Sequence, residues 1–218
     1  MSTLEIKHVP KQMPVFTSIL DNHVELNKYL KEVILEHRQK YPEDIESNVK
    51  AWHSAWDSHT INPKFQPLID LTLKAVKFIT EGYFEAKGID YQIINLWAMM
   101  YEEGEWTKRH SHFPSDFAVC YYVDVEPGGS PAIFENPVKD GVHDNNQQLA
   151  LQPENGMLAI WPAILHHAVP PTKGRRMCIS MNIEKVPVLY KVEGGETPLH
   201  LGRKPEGDTK TVYNRYIA

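Results

Sequence analysis

The spacing of hydrophobic positions changes once along the chain, near residue 90. Before that point, DNHVELNKYLKEVILEHRQKY places Leu26, Leu30, Val33, Ile34 and His37 at helical spacing, so they share one face of a helix. Asp21 and Asn22 suit its start and Pro42 its stop, because the residue before a proline is pushed out of helical geometry. A second helix is expected from Pro67, a residue suited to a first helical turn. Its stripe is Ile69, Leu73, Val76 and Tyr83, and Gly88 is its end. From Tyr91 onward, short runs rich in Ile, Val, Tyr and Phe alternate with the turn clusters EPGGSP, NPVKDG and PENG. That pattern predicts roughly eight β-strands. The tail from Tyr190 is rich in Gly, Pro and Lys with little periodicity; it is expected to wrap the surface or to stay partly disordered, and no chemistry is assigned to it.

Helices first and strands afterwards is the order of an α+β domain. Strands at this spacing suit a barrel or jelly roll with the helices packed outside. In RMCISMNI, Met177, Ile179, Met181 and Ile183 share one face, while Arg176, Cys178, Ser180 and Asn182 share the other. The apolar face can lie under the helices, which turns an arginine toward the barrel interior. A strand with one face in solvent gives the same alternation, so this strand by itself does not decide. The expected organisation is one domain over 1–218: a helical cover at 1–89, a β core at 90–189 and an extension at 190–218.

Composition narrows the partners. A chain of 218 residues that is 42% hydrophobic can bury a core without cross-links. Its net charge of -5, with Lys and Arg scattered, gives no footprint for a nucleic-acid backbone or an anionic membrane. No apolar run approaches the ~18 residues needed to cross a bilayer. Cys120 and Cys178 fall in strand-like runs, and the chain opens without a secretory pattern, so a reduced, cytoplasmic protein is expected. Oligomeric state is not legible.

Candidate chemistry begins at GEWTKRHSHFPSD, residues 104–116. On a strand, His110 and His112 project from one face, close enough to chelate a single ion. A third ligand must come from elsewhere. GMLAIWPAILHHAVPP offers His166 and His167, where a strand ending at Trp161-Pro162 turns before Val169. Alone, a close pair in a chain holding 11 histidines is a weak signal.

With its surroundings, the pair resembles the cupin superfamily in its widest sense, the double-stranded β-helix metal proteins. Gly104, His110, His112 and Asp116 follow the first cupin motif, and Gly156, Pro162 and His167 the second. Ile164 replaces the second motif's Gly and Pro171 its Asn; the spacing picks His167 over His166. A closer resemblance is to the iron(II)- and 2-oxoglutarate-dependent oxygenases, especially a group from marine bacteria and phages. It is carried by WAMMYEEG (97–104), HSH, CYYV (120–123), WPAILHHAV (161–169) and RMCISMN (176–182).

That resemblance implies a double-stranded β-helix (jelly roll) core with the N-terminal helices on its outer face. It implies iron(II) and 2-oxoglutarate as cofactors, dioxygen as co-reactant, and hydroxylation of an unidentified small molecule or side chain. Arg176 stands where relatives hold the distal carboxylate of 2-oxoglutarate, a task for which a planar guanidinium suits better than an ammonium. Tyr122 stands where a hydroxyl bonds the same carboxylate, Tyr101 where some relatives contact the cosubstrate, and Ser180 shares the inward face with Arg176. No catalytic residue is expected beyond the metal ligands.

The chain departs from the common 2-His-1-carboxylate pattern, since His112 stands in the carboxylate position. Three arrangements stay open: three histidine ligands, Asp116 reaching the metal, or His112 behind the ligands. Two functional alternatives also stay open. One is a cupin-type metal-dependent dioxygenase or isomerase without 2-oxoglutarate, in which Arg176 meets a structural carboxylate or the substrate; the other is a non-catalytic β-helix binding module. His53 and His59, in AWHSAWDSH, are read as packed near the pocket mouth, and His143 as an exposed loop residue. Trp97, Trp106 and Trp161 are read as core, and the two cysteines as small reduced core residues. The loops at 43–64 and 136–148 are expected to set substrate choice.

Overall fold

The computed structural model of the chain describes residues 13–41, 43, 46, 48–135, 148–186, 189–192 and 195–198. The elements run β1 (Phe16–Ile19), α1 (His23–Lys40), β2 (Val49–Lys50), β3 (Trp52–His53), α2 (Ser58–Ile61), a 3-10 turn at Pro63–Phe65, and α3 (Gln66–Gly82). The strands β4 (Tyr91–Tyr101), β5 (Trp106–His110), β6 (Phe117–Val125) and β7 (Ala132–Glu135) follow. After them come β8 (Gln148–Leu151), β9 (Met157–Pro162), β10 (His166–Val169), β11 (Arg176–Lys185), β12 (Leu189–Val192) and β13 (Gly195–Pro198).

One sheet has the order β1-β9-β6-β11-β4-β3 and the other β2-β5-β10-β7-β8. From β4 to β11 the chain alternates between the sheets at every step except the β7–β8 hairpin. This is the jelly-roll winding of a double-stranded β-helix, in the α+β setting expected from the sequence. From Arg176 to Ile183, β11 lies between β4 and β6, and over that stretch both its faces are buried.

Each face of β11 meets a different layer. Met177, Ile179, Met181 and Ile183 pack with Leu30, Ile34, Leu68 and Val76 from α1 and α3, forming the outer core. Cys178 packs instead with Tyr101, Tyr122, Phe134 and Trp161 between the sheets. The alternation in RMCISMNI is therefore helix-facing and barrel-facing, with neither side in solvent. Burying each of these aliphatic side chains contributes about 1.5–3 kcal/mol.

The stripe predicted for α1 is the buried one: Leu26, Leu30, Val33, Ile34 and His37. α3 differs. It stops at Gly82, and Tyr83 is 62% exposed, meeting Phe16 edge-on at 5.0 Å. The reason is the left-handed residue Glu85 (φ 55), after which the Ala86 N–H bonds back to the Thr80 carbonyl at 2.8 Å. That closure ends the helix before Gly88 is reached. The short strands β1, β2 and β3 were not expected, being two to four residues long. Nor was the β12–β13 pair, which opens the segment read as aperiodic; the rest of the tail lies outside the described residues.

The two motif glycines have a backbone role. Gly104 (φ 79) and Gly156 (φ 83) turn the chain immediately before β5 and β9, in a region that L side chains rarely adopt. Among the described residues, no helix is long and apolar enough to cross a membrane.

Candidate metal centre

His110 ends β5 and lies opposite His167 of β10 in the sheet register, with ring centroids 4.3 Å apart. His112 lies past the end of β5, in the connection to β6, so strand alternation does not place it. Its backbone N–H donates to the Ala163 carbonyl at 2.8 Å. Its ring stacks on His167 at 5.1 Å and 7°. One ring nitrogen from each of the three histidines lies within 4.8 Å of the others, close enough for one ion to gather them. His166, the neighbour of His167, is partly exposed and outside this cluster.

Hydrogen bonds select the nitrogen that faces the centre. The Lys108 carbonyl accepts from Nδ1 of His110 at 2.8 Å, and Asn182 Oδ1 accepts from Nδ1 of His112 at 2.7 Å. In both rings Nε2 is left with a lone pair, the form that binds a metal. His167 Nδ1 is buried without a hydrogen-bond partner among the described residues. Burial lowers the pKa of all three; that of His112 falls to about 3 and that of His167 well below the usual histidine range, with repulsion from the neighbouring imidazoles adding to the effect. All three rings are therefore neutral at pH 7, as metal ligation requires.

Asp116 is not brought to this cluster. Its carboxylate accepts the backbone N–H of Lys185 at 2.8 Å and pairs with the Lys185 ammonium at 3.3 Å. Its own N–H donates to the Ile183 carbonyl at 3.0 Å, and its carbonyl accepts from Ala163 at 3.1 Å. Asp116, the alternative ligand, has its carboxylate held by Lys185 of β11, and the loop carrying His112 is tied down as a result.

The far end of the same cavity is cationic. Arg176 is 3% exposed, and its Nη1 donates to the Ser130 carbonyl at 2.9 Å. Nε is buried without a partner. The guanidinium lies over the rings of Tyr101, at 4.9 Å, and Tyr122, at 5.2 Å. Among the described residues no carboxylate pairs with it, whereas Arg175 points outward to Glu126, its Nε donating at 2.8 Å. A buried cation with unused donors favours an anion, because leaving it uncompensated is costly. Tyr101 shares its hydroxyl with Thr107 Oγ1 at 2.7 Å, so it offers Arg176 its ring face. Burial holds the Tyr122 phenol well above its usual pKa and therefore protonated. Ser180, Tyr122 and Tyr101 line the cavity together with the three histidines and Arg176.

Trp97 and Trp161 are core residues, as expected, and also walls of the site. Trp161 stands edge-on to His167 at 5.0 Å and Trp97 stacks on His112 at 5.7 Å. Trp106 is half-buried under the Lys108 ammonium, at 5.3 Å, and is not core. His53 is buried against the cavity, while His59 lies at a separate cleft beside α3. Cys120 and Cys178 are buried and free. His143 lies outside the described residues. Residues that the motifs did not flag include Asn95, Phe134 and Ser130. Asn182 was visible only as one more inward position of β11.

Residues 95–182, which carry the three histidines and Arg176, match the family model described as "Putative 2OG-Fe(II) oxygenase". Over these residues the β-helix core is similar to those of the 2OG-Fe(II) oxygenases. Solved oxygenases share the fold. The non-heme alpha ketoglutarate dependent epimerase SnoN from nogalamycin biosynthesis aligns with TM-score 0.61 at 14% identity, covering 89% of this chain and 91% of that one. A Pseudomonas putida prolyl-4-hydroxylase aligns with TM-score 0.58 at 12% identity, covering 78% and 91%. A Trichoplax adhaerens prolyl hydroxylase, solved with a hypoxia inducible factor peptide, gives TM-score 0.58 at 13% identity, covering 80% and 84%. No curated protein matches the chain, and nothing singles out a marine bacterial or phage group. The family match, the shared fold and the three converging histidines together support an iron- and 2-oxoglutarate-dependent oxygenase, with nothing that identifies its substrate.

Proposed function

We propose that this oxygenase holds iron(II) through Nε2 of His110 and His112 and through His167, binds the distal carboxylate of 2-oxoglutarate on Arg176, and hydroxylates a C–H bond of a small molecule or side chain. One observation carries the reading. A buried guanidinium without a carboxylate partner among the described residues lines the same cavity as three neutral, converging imidazoles. The alternative without 2-oxoglutarate is weakened, because the structural carboxylate it allows for Arg176 is not found among those residues.

The residues divide the work. Tyr101 and Tyr122 sandwich the guanidinium, and the Ser130 carbonyl fixes one of its nitrogens. Nε, which has no partner among the described residues, is left to donate to a carboxylate. The Tyr122 and Ser180 hydroxyls line the same cavity and are assigned as supporting donors. Trp97 packs on His112, and Trp161 and Phe134 on His167, which makes that side of the site apolar and strengthens polar interactions inside it. When bound, iron supplies dioxygen activation coupled to decarboxylation of 2-oxoglutarate. Substrate approaches past Asn48, Val49 and Trp56, which with His53 are the lining residues contributed by the segment before α2.

The organisation proposed is a helical cover at 1–89, a catalytic core at 90–189 and an extension at 190–218. Two buried free thiols suit a reducing cytoplasm, and the scattered basic residues suit no nucleic-acid partner. The deciding assay is iron-dependent succinate release from 2-oxoglutarate, abolished in Arg176→Ala. Failure of 2-oxoglutarate to bind the iron-loaded protein by calorimetry would sink the reading.

A further inference from the structure

We infer that Asn182, buttressed by Asn95, is the positioning residue that presents His112 to the metal through Nε2, in the place where related sites use a carboxylate. The inference rests on the three-histidine reading above and adds what makes the third histidine a ligand.

Asn182 and Asn95 face each other in the register of β11 and β4. Asn182 Nδ2 donates to Asn95 Oδ1 at 3.1 Å, and Asn182 Oδ1 accepts from His112 Nδ1 at 2.7 Å. The pairing has a direction. Because Asn95 takes the amide nitrogen, the amide oxygen is left for the imidazole, and an oxygen there holds the ring proton on Nδ1. Nε2 then carries the lone pair.

The amide is placed for this task and poorly placed for others. Asn182 is buried, it closes the inward series that begins at Arg176, and the ladder shifts register immediately after it. His112 reaches it from a loop held separately by Ala163 and Asp116. Backbone ties therefore set where the ring lies, and Asn182 sets which nitrogen points inward. A neutral amide also adds no charge behind the ligand. A ligating histidine with its other nitrogen so bonded loses about 10–100-fold in metal affinity when the acceptor is removed.

The test uses the full chain. In the metal-free protein labelled with ¹⁵N-histidine at pH 7.5, the His112 resonance, identified by its loss in His112→Gln, is expected to show Nδ1 protonated and Nε2 bare. Calorimetric titration with Co(II) is expected to weaken 10–100-fold in Asn182→Ala and to recover to within about threefold in Asn182→Asp, whose carboxylate still accepts. Asn95→Ala is expected to mix the two tautomers. A proton on Nε2 in the wild type overturns the inference, as does Asn182→Ala binding Co(II) as tightly as wild type with its tautomer unchanged. The wild-type tautomer and Asn95→Ala decide the matter even where Asn182→Ala does not fold. The metal reading fails differently: the wild type takes up no Co(II), or His110→Ala leaves the titration unaltered.

Discussion

Asp116 and Lys185 are joined twice, the carboxylate accepting the backbone N–H at 2.8 Å and meeting the ammonium at 3.3 Å. The acidic residue of the motif thus anchors the His112 loop to the end of β11. Asp116→Ala should lower stability by about 1.5–3 kcal/mol, the range for hydrogen bonds to a charged group. It should weaken Co(II) binding less than His112→Ala does. Chemical denaturation and Co(II) titration check this, and equal losses of affinity in the two variants would make Asp116 a ligand after all.

Arg176→Met separates binding from stability. A buried cation without a counter-charge is costly, so the ligand-free variant should melt no lower than wild type. Its thermal stabilisation by 2-oxoglutarate should disappear. Arg176→Lys should not restore it, since an ammonium lacks the planar two-point grip. A ligand-free melting temperature several degrees below wild type would show that the guanidinium is structural.

Acid should destabilise the metal-free protein early. His37, His110, His112 and His167 all have folded pKa values below the ordinary histidine value. Between about pH 6.5 and 5 the unfolded chain therefore binds protons that the native chain does not, and stability falls as pH falls. Glu36 and Glu126, whose pKa values lie below 4.5, add nothing in that window. Urea midpoints at pH 8, 6.5 and 5 should decline in order and decline less in the His110→Ala/His167→Ala variant; a flat profile would contradict the burial-driven shifts.

The motif glycines should not be equivalent. At Gly104 an added Cβ meets nothing within 4 Å, so Gly104→Ala should cost only the left-handed backbone, about 1–2 kcal/mol. At Gly156 the Cβ would lie 2.3 Å from that of His23. Gly156→Ala should add a packing cost of about 1–3 kcal/mol, read as a lower urea midpoint than that of Gly104→Ala.

Regular periodicity made much of this legible. The buried stripe of α1 and the two faces of β11 could be read residue by residue, because one side-chain period governs each. Spacing also separated His167 from His166. What escaped depended on partners distant in sequence. Asn182 gains meaning only opposite Asn95 and beside His112, and Asp116 only beside Lys185. His112 was assigned to the right face for the wrong reason, since a loop and not a strand carries it. Gly88 misled because Glu85 adopts the helix-ending conformation first.

β11 carries Arg176 at one end of its inward face and Asn182 at the other. The backbone advances about 3.3 Å per residue, so no side-chain exchange alters the distance between these two positions. A single residue inserted between them would do so, and would also swap the two faces of the strand on one side of the insertion, turning methionine or isoleucine inward there in place of serine or asparagine. This strand therefore has a reading frame: a substitution at Arg176 or Asn182 affects one end of the site, but a one-residue length change between them would break the relation between the two ends.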